Sequence, residues 1–180
     1  MTGRIGSRRA YTGRVISLDV DQVRFPDGSI GELELVRHPG ASAVVPVLSA
    51  RDAADPTILL IRQYRYAAEG YLYEIPAGRL DVGEHPDECA HRELREETGY
   101  TASQLERLFT MYTTPGFTDE KIHLYLASEL TAGESSREAD EFVELVPTPL
   151  SRALRLIEEG TIQDAKTALA LFYAAQFRLR

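Results

Sequence analysis

Residues 78–100 read GRLDVGEHPDECAHRELREETGY, and this stretch decides the fold. Residues 85–98 carry the marks of one helix. Pro86 suits the first helical position, Asp87 and Glu88 suit the positive N-terminal end, and Gly99 suits the position that ends it. At about 100° per residue, Glu93, Glu96 and Glu97 share one arc spanning roughly 100°. Cys89 falls inside that arc, and Ala90 and Leu94 lie on its border. Glu88, His91, Arg92 and Arg95 make a second charged arc. A solvated surface is the ordinary reading of such a charge run, and it suffices for the second arc. It explains the first poorly, because that arc adjoins the helix's only apolar residues and so turns inward. Glu93 and Glu97 repel at i, i+4, so three inward carboxylates would need a cation. Hard divalent ions with oxygen ligands are the natural candidates, and Mg²⁺ is usually held by a few carboxylates plus substrate phosphates.

Composition bounds the rest. A chain of 180 residues is about one domain long and can bury a sizeable core. Hydrophobic content of 43% and charged content of 27% are ordinary for a soluble globular protein. No apolar run reaches transmembrane length. The N-terminus, MTGRIGSRRAYTGR, is basic but has no apolar core after its charges, so it does not read as a secretory signal. Residues 1–10 are expected to be a flexible tail. The single cysteine, Cys89, excludes an internal disulfide and is consistent with a reducing cytoplasm. A net charge of −8 argues against a nucleic-acid polymer as partner. It does not exclude a small phosphorylated substrate, since bound cations would reverse the sign around the carboxylates.

Residues 11–38 read as two or three antiparallel strands. Val15 to Leu18 and Val23 to Phe25 flank a break at residues 19–22, Pro26-Asp27-Gly28 is a turn, and residues 31–37 alternate. A meander of this size buries too little to stand alone. Residues 43–48 and 58–61 follow as buried strands. Further strands are expected near residues 105–113, 122–130 and 142–146, with helices near 150–159 and 163–177. Residues 131–140 are polar and read as a loop. Strands interleaved with helices imply an α/β fold with a mixed sheet covered on both faces. The expected organisation is a tail at 1–10, an N-terminal β unit at 11–40 and the main domain at 41–180.

The quoted stretch resembles the Nudix box, G-x5-E-x7-R-E-U-x-E-E-x-G-U with U a bulky apolar residue. Every fixed position is matched, from Gly78 and Glu84 through Arg92, Glu93, Leu94, Glu96, Glu97 and Gly99; Tyr100 is aromatic where an aliphatic residue is commoner. The resemblance implies a Nudix α/β/α sandwich and hydrolysis of a nucleoside diphosphate linked to another group, with Mg²⁺ as cofactor and Mn²⁺ as a possible substitute. It also implies a metal set of the Ala77 carbonyl, Glu93, Glu96 and Glu97. Arg92, at i, i+4 from Glu96, would orient the carboxylates, and Glu84 would pair with it or reach a metal through water.

Other segments narrow the substrate. Thr114-Pro115-Gly116-Phe117-Thr118-Asp119-Glu120 resembles the S-P-G-F-[ST]-[DN]-E segment of ADP-ribose pyrophosphatases, and lacks the P-G-G-x-T-E of GDP-mannose pyrophosphatases. Arg62-Gln63-Tyr64-Arg65 resembles the R-Q-x-R segment of the same subfamily, which implies that Arg65 grips phosphate or terminal ribose with its guanidinium fork. Glu74-Ile75-Pro76-Ala77-Gly78 resembles the E-x-P-A-G lead-in to the box. Pro115, Gly116, Phe117, Arg62, Arg65 and Glu74 are thus the expected substrate-binding residues. A Pro-Gly turn and a strand-end surface arginine are the bland readings of the same residues. The resemblance further implies a homodimer in which the N-terminal strands are exchanged. No residue stands out as the partner of the base; Tyr11, Phe25 and Tyr64 are the candidates. For the catalytic base it implies a glutamate in a loop before a late strand, where Glu138, Asp140, Glu141 and Glu144 lie. Glu141 directly precedes the strand and is the choice, with Glu96 as the fallback.

Three functions compete. The first is hydrolysis of ADP-ribose to AMP and ribose 5-phosphate by a cytoplasmic homodimer. The second is a broader nucleoside diphosphate sugar hydrolase acting on GDP- or UDP-sugars. The third is a non-catalytic nucleotide-binding regulator, which the retained carboxylates disfavour.

Overall fold

The computed structural model describes residues 2–133 and 143–179, and the chain divides into two compact units. The smaller comprises Met1–Gly40 and Met111–Ile122; the larger comprises Ala41–Thr110 and His123–Arg180.

In the smaller unit β1 (Gly3–Thr12), β2 (Ser17–Arg24) and β3 (Ile30–Arg37) form an antiparallel sheet in that order. The turn at Pro26-Asp27-Gly28 is present, with Gly28 at a φ of 88°. Two expectations fail here for the same reason. Residues 1–10 do not form a flexible tail, because Gly3 to Thr12 pair along β2. Nor does the chain break at residues 19–22, because β2 runs straight through them. The acids in that stretch have cations opposite them. Arg9 and Arg37 both bond Asp19, while Ser7 and Arg37 bond Asp21. These partners hold both carboxyls below their ordinary range, Asp19 chiefly through Arg9 and Asp21 chiefly through Ser7. Arg37 also donates to Asp119 at 3.1 Å, and the His38 N–H donates to the other Asp119 oxygen at 2.9 Å. One guanidinium therefore joins β2, β3 and the 113–120 loop.

The larger unit holds β4 (Ala41–Pro46), β5 (Thr57–Arg65), β6 (Gly70–Glu74), β7 (Ala77–Arg79), α1 (Pro86–Thr98), α2 (Leu150–Glu158) and α3 (Ala165–Phe177). The remaining strands are β8 (Tyr100–Tyr112), β9 (Lys121–Ala132) and β10 (Val143–Pro149). Their sheets run β7-β4-β9-β8 and β10-β5-β6. Strand alternation explains the layers. Successive β4 side chains point to opposite faces. Val44 joins Ala90 and Leu94 of α1 with Tyr125 and Ala127 in one cluster, and the Ser42 hydroxyl on the same face donates to the Pro86 carbonyl at 2.6 Å. That leaves the Ala43 and Val45 face for α3, which also packs on β4 and buries Ala170, Leu171 and Ala174. The fold is the expected α/β/α sandwich. β5 is central in its sheet, and Ile58, Leu59, Leu60 and Ile61 are all buried, as a strand covered on both faces requires.

β6 and β7 were not read from the sequence; both are short, and Pro76 separates them. Their junction is fixed from α3. The buried Ile75 N–H donates to the Thr167 hydroxyl at 2.9 Å, and that hydroxyl donates to Asp164, which caps α3. Replacing Thr167 with Val keeps the shape but leaves a buried donor unpaired. T167V should lower the unfolding free energy by about 1–3 kcal/mol, measured by urea denaturation. A cost near zero would show that the Ile75 N–H finds another acceptor.

Candidate active site

The box stretch folds as a short strand, a turn and a helix. α1 starts at Pro86 with the His85 N–H donating to Glu88 at 3.1 Å, and ends at Gly99, whose φ of 78° and N–H to the Arg95 carbonyl at 2.8 Å close the last turn. The inward arc is inward. Cys89, Ala90, Glu93, Leu94 and Glu97 are buried, and Glu96 lies at the rim.

Glu97 is 2% exposed and accepts the Ala77 N–H at 3.0 Å. Glu93 lies directly over Gly78, so that a Cβ there would overlap its carboxylate. Glycine is required by this close approach of side chain to backbone. The structure therefore brings Ala77, Gly78, Glu93 and Glu97 together at one edge of β7. Cys89 sits beneath them, its thiol 3.5 Å from the Gly78 carbonyl and pushed up to about 12 by burial.

Arg92 gathers the remaining carboxylates. Its Nε and Nη2 donate to the two Glu84 oxygens at 2.8 and 2.9 Å, and Nη1 donates to Glu93 at 2.5 Å and Glu96 at 3.1 Å. Nη2 also reaches the Arg79 carbonyl at 3.0 Å. The Arg92 bonds pull Glu84 down to about 2, so it is ionised at any working pH. Among the described residues no three acidic, His or Cys side chains converge on one point. Glu84, Glu93 and Glu96 close instead on the guanidinium. Even so, Glu84, Glu93, Glu96 and Glu97 outnumber Arg92 and the rim contact of Arg95 to Glu96 at 3.4 Å, and the cluster is net negative. The donor set is all oxygen. An additional hard cation fits it by charge and by ligand type.

A second constellation lies on β5 and β6. Arg65 makes a two-pronged bond to Glu74, Nε to Oε1 at 2.7 Å and Nη2 to Oε2 at 2.9 Å. Glu74 is 1% exposed. Burial pushes its carboxyl up, but Arg65 and Lys166 outweigh that and hold it below its ordinary value. Sequence reasoning missed Lys166, because nothing local marks a helix lysine as the partner of a residue so far back in the chain. Arg62 stacks over the Tyr71 ring at 4.1 Å and reaches Glu144 at 3.4 Å. Tyr64 is half exposed and meets Tyr71 edge-on.

Pro115, Gly116 and Phe117 belong to the smaller unit. Their loop is closed by Phe117 and Thr118 N–H bonds to the Thr114 carbonyl, both 3.1 Å, and stitched to β3 by the Val36 N–H to the Phe117 carbonyl at 2.8 Å. Asp119 and Glu120 serve it structurally, through Arg37, the His38 N–H and the Thr113 hydroxyl. The Phe117 ring is exposed beside a pocket of about 240 Å³ that Ile16, Val36 and His38 help to line. Tyr11 and Phe25 are also in this unit. Glu138, Asp140 and Glu141, and with them the choice of base, lie outside the described residues.

Comparison with known proteins agrees with these features. The NUDIX domain matches residues 37–170. An ADP-ribose pyrophosphatase of Bacillus subtilis (strain 168) is 44% identical over 171 residues, covering 94% of this chain and 90% of its own. A methanol dehydrogenase activator of Bacillus methanolicus is 43% identical over the same shares of the two chains. The crystal structure of an ADP compounds hydrolase superposes with a TM-score of 0.80 and 26% identity, over 98% of this chain and 93% of that one. The chain belongs to the Nudix family.

Proposed function

We propose that the protein is a divalent-metal-dependent pyrophosphohydrolase that cleaves ADP-ribose to AMP and ribose 5-phosphate. The observation that carries this reading is the burial of Glu93 and Glu97 against the Ala77–Gly78 backbone, inside a cluster that stays net negative. Mg²⁺, for which Mn²⁺ could substitute, would be held by the Ala77 carbonyl, Glu93, Glu96 and Glu97. When bound it neutralises the diphosphate and lowers the pKa of the attacking water. Arg92 holds the carboxylates in place, and its bonds to Glu84 keep it from leaving them. Arg65, with Glu74 fixing its fork, and Arg62 offer cations to the substrate phosphates, and Pro115, Gly116 and Phe117 are further substrate-binding residues in this reading. Glu141 is the base we assign to this reaction. The substrate follows from the Pro115–Glu120 segment and from the name of the 44% identical relative.

A hydrolysis panel with Mg²⁺ tests the substrate. ADP-ribose should be cleaved in preference to GDP-mannose and UDP-glucose, with AMP among the products. Preference for either of the others would move the assignment to the broader sugar-nucleotide class. E97Q keeps size and shape but removes one anionic ligand, and should lower kcat by about a hundredfold or more. Full turnover in folded E97Q would remove Glu97 from the metal set.

Gly78 tests the backbone side of the site. In G78A the new methyl displaces the end of a flexible side chain, Glu93, so urea denaturation should register a loss of only about 1 kcal/mol. Activity should nevertheless fall by about a hundredfold, the usual consequence of misplacing a group by an ångström. Normal kcat in G78A would mean that Glu93 need not lie over the strand.

The quaternary state we infer is a homodimer in the cytoplasm. Ile5 and Tyr11 of β1 and Ile30 and Leu33 of β3 are exposed on a three-stranded sheet with little core of its own. No helix among the described residues is long and apolar enough to cross a membrane. Sedimentation at micromolar concentration should give twice the chain mass of 20.1 kDa. A single species at the chain mass would refute it.

A further inference from the structure

The start of α3 reaches the substrate-binding arginine through one buried carboxylate. Lys166 is 13% exposed, and its Nζ lies 2.5 Å from Glu74 Oε2 and 3.1 Å from Asp164 Oδ1. The same Glu74 oxygen accepts Arg65 Nη2 at 2.9 Å, while Oε1 accepts Arg65 Nε at 2.7 Å. Glu74 thus serves two cations, and one oxygen is shared between them. The lysine is itself well anchored. Asp164 accepts the Thr167 N–H at 2.9 Å and the Thr167 hydroxyl at 2.5 Å, and that hydroxyl takes the Ile75 N–H.

Charge decides what the lysine does. Arg65, Lys166, Glu74 and Asp164 sum to zero. Without Lys166 the group carries a net negative charge next to the guanidinium that is to meet an anionic substrate. Glu74 would also have only Arg65 left to compensate a charge that is almost wholly out of water, and would hold the fork more tightly. With Lys166 present, part of the carboxylate is already satisfied. Of the five N–H donors of the guanidinium, Glu74 takes only two, and the Arg65 side chain remains 40% exposed.

We propose that Lys166 is a positioning residue for substrate binding. Through Glu74 it sets the Arg65 fork and preserves its positive charge for a phosphate group of the substrate. This rests on the reading of Arg65 as a phosphate ligand. The lysine touches no substrate and acts on affinity, not on the chemical step.

The test is a double-mutant cycle with K166M, R65M and the double variant, with K166R as the conservative rescue. K166M should raise KM for ADP-ribose about tenfold, the loss of one charge-assisted contact, with kcat within about threefold of wild type. K166R should restore most of the affinity. In the R65M background K166M should change KM little, because the residue through which it acts is gone. A folded K166M with unchanged KM would overturn the proposal, and so would an equal KM effect with and without Arg65. Thermal unfolding of each variant separates a folding defect from a binding one, and K166Q replaces K166M if the latter does not fold. Calorimetric titration of inorganic pyrophosphate into wild type and K166M tests the clamp independently of the sugar nucleotide. Weaker binding to K166M supports it even if ADP-ribose is not hydrolysed, and equal binding overturns it.

Discussion

The close approach of the α1 carboxylates to the Ala77–Gly78 backbone is the constraint on which the rest depends. A helix can press Glu93 onto a strand only where the strand has no side chain, and Gly78 supplies that gap. Glu97 then reaches the Ala77 N–H, and Arg92, on the edge of the same helix, is left to bind Glu84 and draw in Glu96. Anions confined in this way repel, and apolar packing at the border of the same arc holds the helix in place against that repulsion. Ala90 and Leu94 are packed into the cluster around Val44, and Ser42 holds the Pro86 carbonyl. Apolar packing thus sets the position of the charges.

A second layer of support comes from the far end of the chain. Lys166 bonds Glu74 and Thr167 bonds Ile75, the two residues that lead into the box, and Asp164 holds both of those α3 side chains. The last helix therefore covers one face of the sheet and also orients the cation-bearing strand end. In the smaller unit Arg37 has a comparable part, uniting two strands and a loop through Asp19, Asp21 and Asp119. Both hubs place one long cation among several carboxylates and leave few polar groups without partners.

How much of this could be read beforehand depended on the distance over which each interaction acts. α1 was legible because its caps, its apolar border and its acidic arc all lie within one local repeat, and Gly78 was fixed by the box spacing. β6 and β7 were not, since three to five residues carry too little periodicity to register. The N-terminal strand pair was not legible, because Arg9 and Ser7 find their partners Asp19 and Asp21 only across the sheet, which no local pattern in residues 1–10 or 19–22 displays. Placed opposite one another on β1 and β2, they make a strand pair. Lys166 was invisible for the same reason, since its partner Glu74 lies a whole domain's length earlier in the chain. The carboxylates were expected to face one point, yet those on Arg92 turn towards the guanidinium, a competition that helical geometry alone does not reveal.

The buried thiol has a consequence for how the molecule ages. Cys89 lies wholly out of solvent, between α1 and the carbonyls of Gly78 and Arg79, and its ionisation is pushed up to about 12. Oxidants and alkylating reagents attack the thiolate, and at neutral pH this group offers neither the charge nor the access. Reaction has to wait until the helix lifts from β7. The chain's one cysteine is therefore shielded for as long as the carboxylate site is assembled, and its first chemical modification would mark the moment that assembly comes apart.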